Sequence, residues 1–235
     1  MKYIAHFLIV FSLLNNDVSA GVMPSRTRVV YTESNREQSL MLANTNSYPV
    51  IVQTWIDNGE GTPDVSGIPF VSVPPVFRLE PHAVKGVRII YNGRPVRRDT
   101  ESLYWFNIYE IPPERKDAVK VNSVLVTMNT QIKLFYRPSG VVTTPEQAIS
   151  AVTCHRTGVK IMQCYNPSPI HISVIAVQVD SEHLTARALD SDLMMSPSGE
   201  KKINLSKDIP DSFSAEFRYI NDSGDQLTHR IVVKK

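Results

Sequence analysis

The sequence predicts an all-β protein made of two successive β-sandwich domains. Three observations carry the prediction. Short runs of alternating or β-branched residues recur along the chain, separated by Asn, Ser, Gly and Pro clusters that favour turns. The only helical signal is one turn at residues 145–149. Midway, the segment AVKVNSVLVTMNTQIKLFYRP (residues 118–138) alternates over an unusual length, and Arg137-Pro138-Ser139-Gly140 then breaks the pattern before strands resume. A chain of 235 residues is long enough for one large β domain or two of about 100 residues.

The first element is a transport signal. Lys2 gives a basic start, residues 7–14 are apolar, and Val18-Ser19-Ala20 places small residues at a cleavage position. Residues 1–20 read as a signal peptide, with the mature chain starting at Gly21. The apolar run is too short for a stop-transfer helix, and no later run is long enough, so no direct membrane insertion is expected. An exported product follows.

Residues 27–31, 39–43 and 50–56 are the first strands. In the third, Val50, Val52, Thr54 and Ile56 alternate with Ile51, Gln53 and Trp55. Residues 70–73 and 76–79 flank Pro74-Pro75, a pair that excludes a regular central strand and marks an edge or a strand changing sheets. Residues 87–91 form the next strand, followed by an arginine-rich loop at 93–100. The aromatic strand LYWFNIYEI (103–111) ends at Pro112-Pro113. Many short strands between turns indicate an immunoglobulin-like sandwich, without the Cys…Trp…Cys signature.

In the central segment Val124, Val126, Met128, Thr130, Ile132 and Leu134 share one parity, and Leu125, Thr127, Asn129, Gln131, Lys133 and Phe135 the other. An apolar row of this length needs a cover. Either its own domain supplies one, as for an ordinary core strand, or another chain does.

Beyond residue 140, strands are expected at 151–154, 159–165, 170–179, 184–188, 192–195, 202–205, 214–219 and 229–233. They form a second, smaller β-sandwich. The two cysteines, Cys154 and Cys164, permit one intramolecular pairing. A bridge across a hairpin turning at Thr157-Gly158 fits the spacing, and two free thiols are the alternative.

Several chemistries are excluded. With 25 Lys and Arg against 23 Asp and Glu, net charge +2, no broad field attracts nucleic acid. No phosphate-binding glycine pattern, zinc-ligand spacing or G-x-S-x-G elbow occurs, so no cofactor, metal or enzymatic site is expected. His155 reads as a turn residue rather than a ligand.

Taken together, RTRVVY (26–31), PPVFRLEP (74–81), ESLYWFNIYEIPP (101–113), IKLFYRP (132–138), YNPSPIHISV (165–174) and YINDSG (219–224) resemble the periplasmic pilus-assembly chaperones of the chaperone–usher pathway. The likeness spans nearly the whole mature chain. It implies two immunoglobulin-like domains, residues 21–138 and 139–235, set as a boomerang. It also implies residence in the periplasm, pilus or fimbrial subunits as partners, and delivery to an outer-membrane usher. Donation of a strand to an incomplete pilin is a known example of strand addition. On this resemblance Val124, Val126 and Met128 fill the subunit's groove, and Arg28 and Lys133 anchor its C-terminal carboxylate. Glu101, Arg137 and Asp222 form an interdomain ionic cluster. Lys133 has the opposite parity from the groove row, a tension that suits either a side chain aimed at a cleft or a bulge between the two parts of the strand. The short connection after Pro113 resembles the short-loop class that serves rod-like pili and adhesive fimbriae. The rival readings are a fimbrial structural subunit or adhesin, and an exported enzyme or small-ligand binder.

Overall fold

The computed structural model describes residues 21–113, 126–179, 182–185, 192–205 and 207–234. Strands β1 (Val22–Pro24), β3 (Glu37–Asn44), β7 (Val84–Tyr91) and β5 (Phe70–Val73) make one sheet, in that order. The facing sheet runs β2 (Arg28–Thr32), β9 (Met128–Arg137), β8 (Ser102–Ile111), β4 (Val50–Asp57) and β6 (Val76–Leu79). The alternation decides which side chains enter the core between them. Val50 and Val52 of β4, Phe106 and Ile108 of β8, and Ile132 and Leu134 of β9 meet Leu40, Leu42, Val87 and Ile89 of the other sheet. The chain crosses from one sheet to the other at Pro74-Pro75, and the strands on either side of it, β5 and β6, are both edge strands, so both outcomes open to the proline pair are realised.

Helix α1 (Pro145–Ala151) follows, then β10 (Thr153–Gly158), β11 (Ile161–Asn166), β12 (Ser173–Val179), β13 (Glu182–Thr185), β14 (Gly199–Asn204), β15 (Ser212–Ile220) and β16 (Gln226–Lys234). The strands run β13-β12-β15-β16-β10-β11-β14, with β16 meeting β10 through the single parallel pair His155–Lys234. Strands on both sides of that junction feed one core: Met162, Cys164 and Ile203 pack with Val174, Val177, Phe217 and Ile231. The protein is thus nearly all β, with two immunoglobulin-like domains.

Three expectations are corrected. The helical segment is longer than one turn, and residue 151 belongs to it rather than to a strand. A reciprocal cap starts it: the Thr144 hydroxyl accepts from Gln147 N–H, and the Gln147 side chain accepts from Thr144 N–H. The strand expected at 192–195 is reduced to one bridge, Ile172 to Met195. The hairpin turns at Val159-Lys160, because Gly158 already pairs with Ile161, and His155 sits within β10 opposite Gln163.

That hairpin register places Cys154 directly opposite Cys164, and the two are joined by a disulfide with Cα atoms 4.1 Å apart. Replacing both cysteines by alanine should lower unfolding free energy by about 2–3 kcal/mol, the chain-entropy value for so short a loop. Urea unfolding checks this, and an unchanged midpoint would contradict it. Non-reducing peptide mapping should keep the two cysteine peptides linked until a thiol is added.

Candidate functional site

β2 runs parallel to β9 in a register that sets Arg28 beside Lys133, and β8 sets Trp105 beside Lys133 on the other flank. Two motifs about a hundred residues apart thus place two cations side by side. Arg28 is only 7% exposed. Its Nη1 donates to the Ile220 carbonyl at 3.1 Å, while its buried Nε has no hydrogen-bond partner among the described residues. The Lys133 ammonium lies 5.7 Å from the Trp105 ring centroid and, among the described residues, within 4.0 Å of no carboxylate. Burial pushes the Lys133 pKa down; Asp192 opposes this and neighbouring Arg28 adds to it. Burial also lowers Arg28, against the opposing charges of Asp222 and Glu101. Two partly desolvated cations with an unused N–H make a receptor for an anion.

Beyond Arg28 lies the junction between the domains. Arg137 Nε and Nη2 donate to Glu101 Oε2 at 2.9 and 2.7 Å, and its Nη1 and Nη2 reach Asp222 at 2.5 and 3.0 Å. The other Glu101 oxygen is 3.0 Å from both the backbone N and the ring Nδ1 of His171. Glu101 N–H donates to the Pro169 carbonyl across the same junction. Burial alone would depress Arg137, but hydrogen bonds and charge from Asp222 and Glu101 outweigh it and the net shift is upward.

The third feature is an edge. β8 pairs with β9 from Met128 to Tyr136, but β2 covers only Lys133 to Arg137. Among the described residues, the other side of β9 from Met128 to Ile132 has no strand partner. The same stretch changes character along its length: Ile132 and Leu134 are buried, whereas Met128 is 47% and Val126 75% exposed. Val124 lies outside the described residues, as does the connection at 114–125, so the short-loop reading gains no structural detail.

The structure therefore brings together Arg28 with Lys133, and Glu101 with Arg137 and Asp222, and leaves Val126 and Met128 largely exposed. It adds residues the sequence reading passed over. His171 joins the ionic cluster, although nothing in its local sequence announces that. Trp105 flanks Lys133; its one-residue offset from the inward Phe106 was a signal available in the aromatic strand. Fully buried Asp57 accepts from Trp55 Nε1, Gly59 N, Gly61 N and Asn107 Nδ2 at 2.8–3.1 Å. Asn107 in turn accepts from Asn129 and Gln131 of β9. Among the described residues no group of three or more His, Cys, Asp or Glu could hold a metal ion. None of their helices is long and apolar enough to cross a membrane.

With this geometry in place, the likenesses to known proteins take on meaning. Residues 21–142 match the family model described as pili and flagellar-assembly chaperone, PapD N-terminal domain. Residues 147–231 match the pili assembly chaperone PapD, C-terminal domain. The chaperone protein FocC of Escherichia coli is 31% identical over 97% of this chain and 95% of its own length. The chaperone protein LpfB of Salmonella typhimurium is 28% identical, over 95% of both chains. Among solved structures, the SafB chaperone in complex with the SafA pilin of Salmonella enterica superposes with TM-score 0.76 at 26% identity. That match covers 90% of this chain and 95% of the other. The YadV chaperone gives TM-score 0.75 at 26% identity, over 90% and 98% of the two chains.

Proposed function

We propose, from the premise that this chain belongs to the PapD family of pili-assembly chaperones, that it captures pilus or fimbrial subunits in the periplasm by lending them part of β9, and hands them to an outer-membrane usher. It is not an enzyme, and the relatives named above are chaperones. Residues 1–20 act as the export signal, and residues 21–138 and 139–235 as the two chaperone domains.

One observation carries the reading. Among the described residues, the unpartnered edge of β9 from Met128 to Ile132 is continuous with exposed Val126 and Met128 and runs directly to the Arg28–Lys133 cation pair. A pilin lacking its last strand exposes an unpaired edge and an apolar groove. A guest strand on the β9 edge satisfies the first. Val124, Val126 and Met128 fill the second, each contributing roughly 1.5–3 kcal/mol before ordering costs. The subunit's terminal carboxylate meets Arg28 and Lys133, which sets the register. Glu101, Arg137, Asp222 and His171 hold the domain angle that shelters this anchor. A fimbrial subunit would need a single incomplete domain with its own N-terminal donor extension, and the two complete domains do not fit it.

Co-expression with a pilin from the same locus, followed by isolation from the periplasm, tests the reading. The chain should retain the pilin in a one-to-one complex. Failure to retain any pilin that is itself stable would sink the proposal. The depressed Lys133 pKa adds a pH signature. The carboxylate binds the protonated ammonium, so affinity falls as pH rises through the Lys133 pKa, at a lower pH than for an ordinary lysine. A pilin amidated at its C-terminus should lose that alkaline dependence.

A further inference from the structure

Glu110, the last residue but one of β8, lies beside the start of β9, in register with Met128. It is 6% exposed. Its Oε2 accepts from Val22 N–H and its Oε1 from Asn46 Nδ2, both at 2.8 Å. Both donors are neutral. Among the described residues no lysine, arginine or histidine lies within 4.0 Å of this carboxylate. A buried carboxylate held by neutral donors alone lacks the opposite charge that normally accompanies a buried ion.

Gly21 lies against the same carboxylate. It is buried, its carbonyl accepts from Thr45 N–H and Oγ1 at 3.0 and 2.7 Å, and its φ is +81°. A Cβ on Gly21 would stand 2.6 Å from Glu110 Oε2 and 3.2 Å from Met128 Cε, so a side chain is excluded on both steric and conformational grounds. The Gly21 nitrogen is bonded to that same Cα.

We infer that the missing counter-charge is the α-ammonium of Gly21, created when the signal peptide is removed, and that this pair fastens β1 and the base of β9 only in the processed chain. The inference rests on the reading of residues 1–20 as a cleaved signal. Hydrolysis of the Ala20–Gly21 amide adds water across the bond: Ala20 leaves with the carboxylate, and Gly21 keeps the amine, which takes up a proton at neutral pH. An amide nitrogen becomes a cation beside a buried anion. Processing thus completes an ion pair next to the edge offered to the subunit.

Intact mass of the periplasmic protein first fixes its N-terminus; a start other than Gly21 overturns both the cleavage reading and the inference. With Gly21 established, four proteins are compared: chains starting at Gly21 or carrying one additional alanine before it, each with Glu110 or Glu110→Gln. The added alanine moves the charge away from Glu110 and should lower Tm by about 3–8 °C in the Glu110 background. It should cost less than about 2 °C in the Gln background. Equal losses in both backgrounds, or no loss in either, would overturn the pair while leaving cleavage standing. If an extended chain fails to fold, acylation of the Gly21 amine by a water-soluble active ester gives a second readout. The amine of the folded Glu110 protein should react at least about tenfold more slowly than that of Glu110→Gln, where the counter-charge is gone. Equal rates overturn the inference.

Discussion

Alanine at Arg28 or at Lys133 is expected to abolish recovery of a pilin complex while leaving the chaperone folded. Losing one partner of a buried, hydrogen-bonded charge pair costs about 2–5 kcal/mol in binding, roughly 30- to 4,000-fold in Kd. The two variants separate on stability. Arg28 donates to the Ile220 carbonyl, so its loss should also cost about 1 kcal/mol of folding free energy. Lys133 makes no such bond, and its burial lowers its own pKa, so alanine there should leave folding nearly unchanged. Arg28→Lys should recover only part of the binding, since an ammonium cannot grip a carboxylate through two parallel N–H bonds. Co-purification measures the complex and thermal unfolding measures the fold. An unchanged yield of complex would remove these residues from the anchor role.

The largest effect on stability is expected from Arg137→Ala. Its side chain is the cation between a Glu101 carboxylate that is 1% exposed and an Asp222 carboxylate that is 39% exposed. Removing it strands the buried Glu101 and should cost about 3–5 kcal/mol. Asp222→Ala should cost no more than about 1 kcal/mol, because that partner is already solvated. Combining Arg137→Ala with Glu101→Gln should be less harmful than Arg137→Ala alone, since the second change removes the stranded charge. Chemical unfolding of the three proteins gives the ranking. Equal stability of the Arg137→Ala and Asp222→Ala proteins would show that the cluster is not an ordering device.

Much of the first domain was legible because period-two alternation reports directly which side chains face inward. β4, β5 and β6 occupy nearly the residues the pattern marked, and Pro74-Pro75 marked an edge or a sheet change, both of which occur there. β1 was missed: three residues including Pro24 carry no periodic signal, and they are strand only because β3 offers a partner. The length of α1 was written in Thr144-x-x-Gln147 with a proline at the first position, a cap the sequence reading passed over. In the site, the residues within the matching motifs came together. Sequence alone cannot give His171 on Glu101, or Trp105 beside Lys133, because these contacts depend on the domain junction and on the register of β8 against β9. The Lys133 parity tension is resolved without a bulge: β9 pairs with β8 continuously, and Lys133 faces away from the core that receives Ile132 and Leu134.

The split character of β9 has a consequence for how such a protein can diversify. Its C-terminal half is held to one composition by the domain's own interior, while Val126 and Met128, before and at its start, are largely exposed. The two halves answer to separate selective demands although they share a backbone. Under the proposed function, positions 126 and 128 are therefore where a lineage can change which subunits it binds at least cost to the buried scaffold.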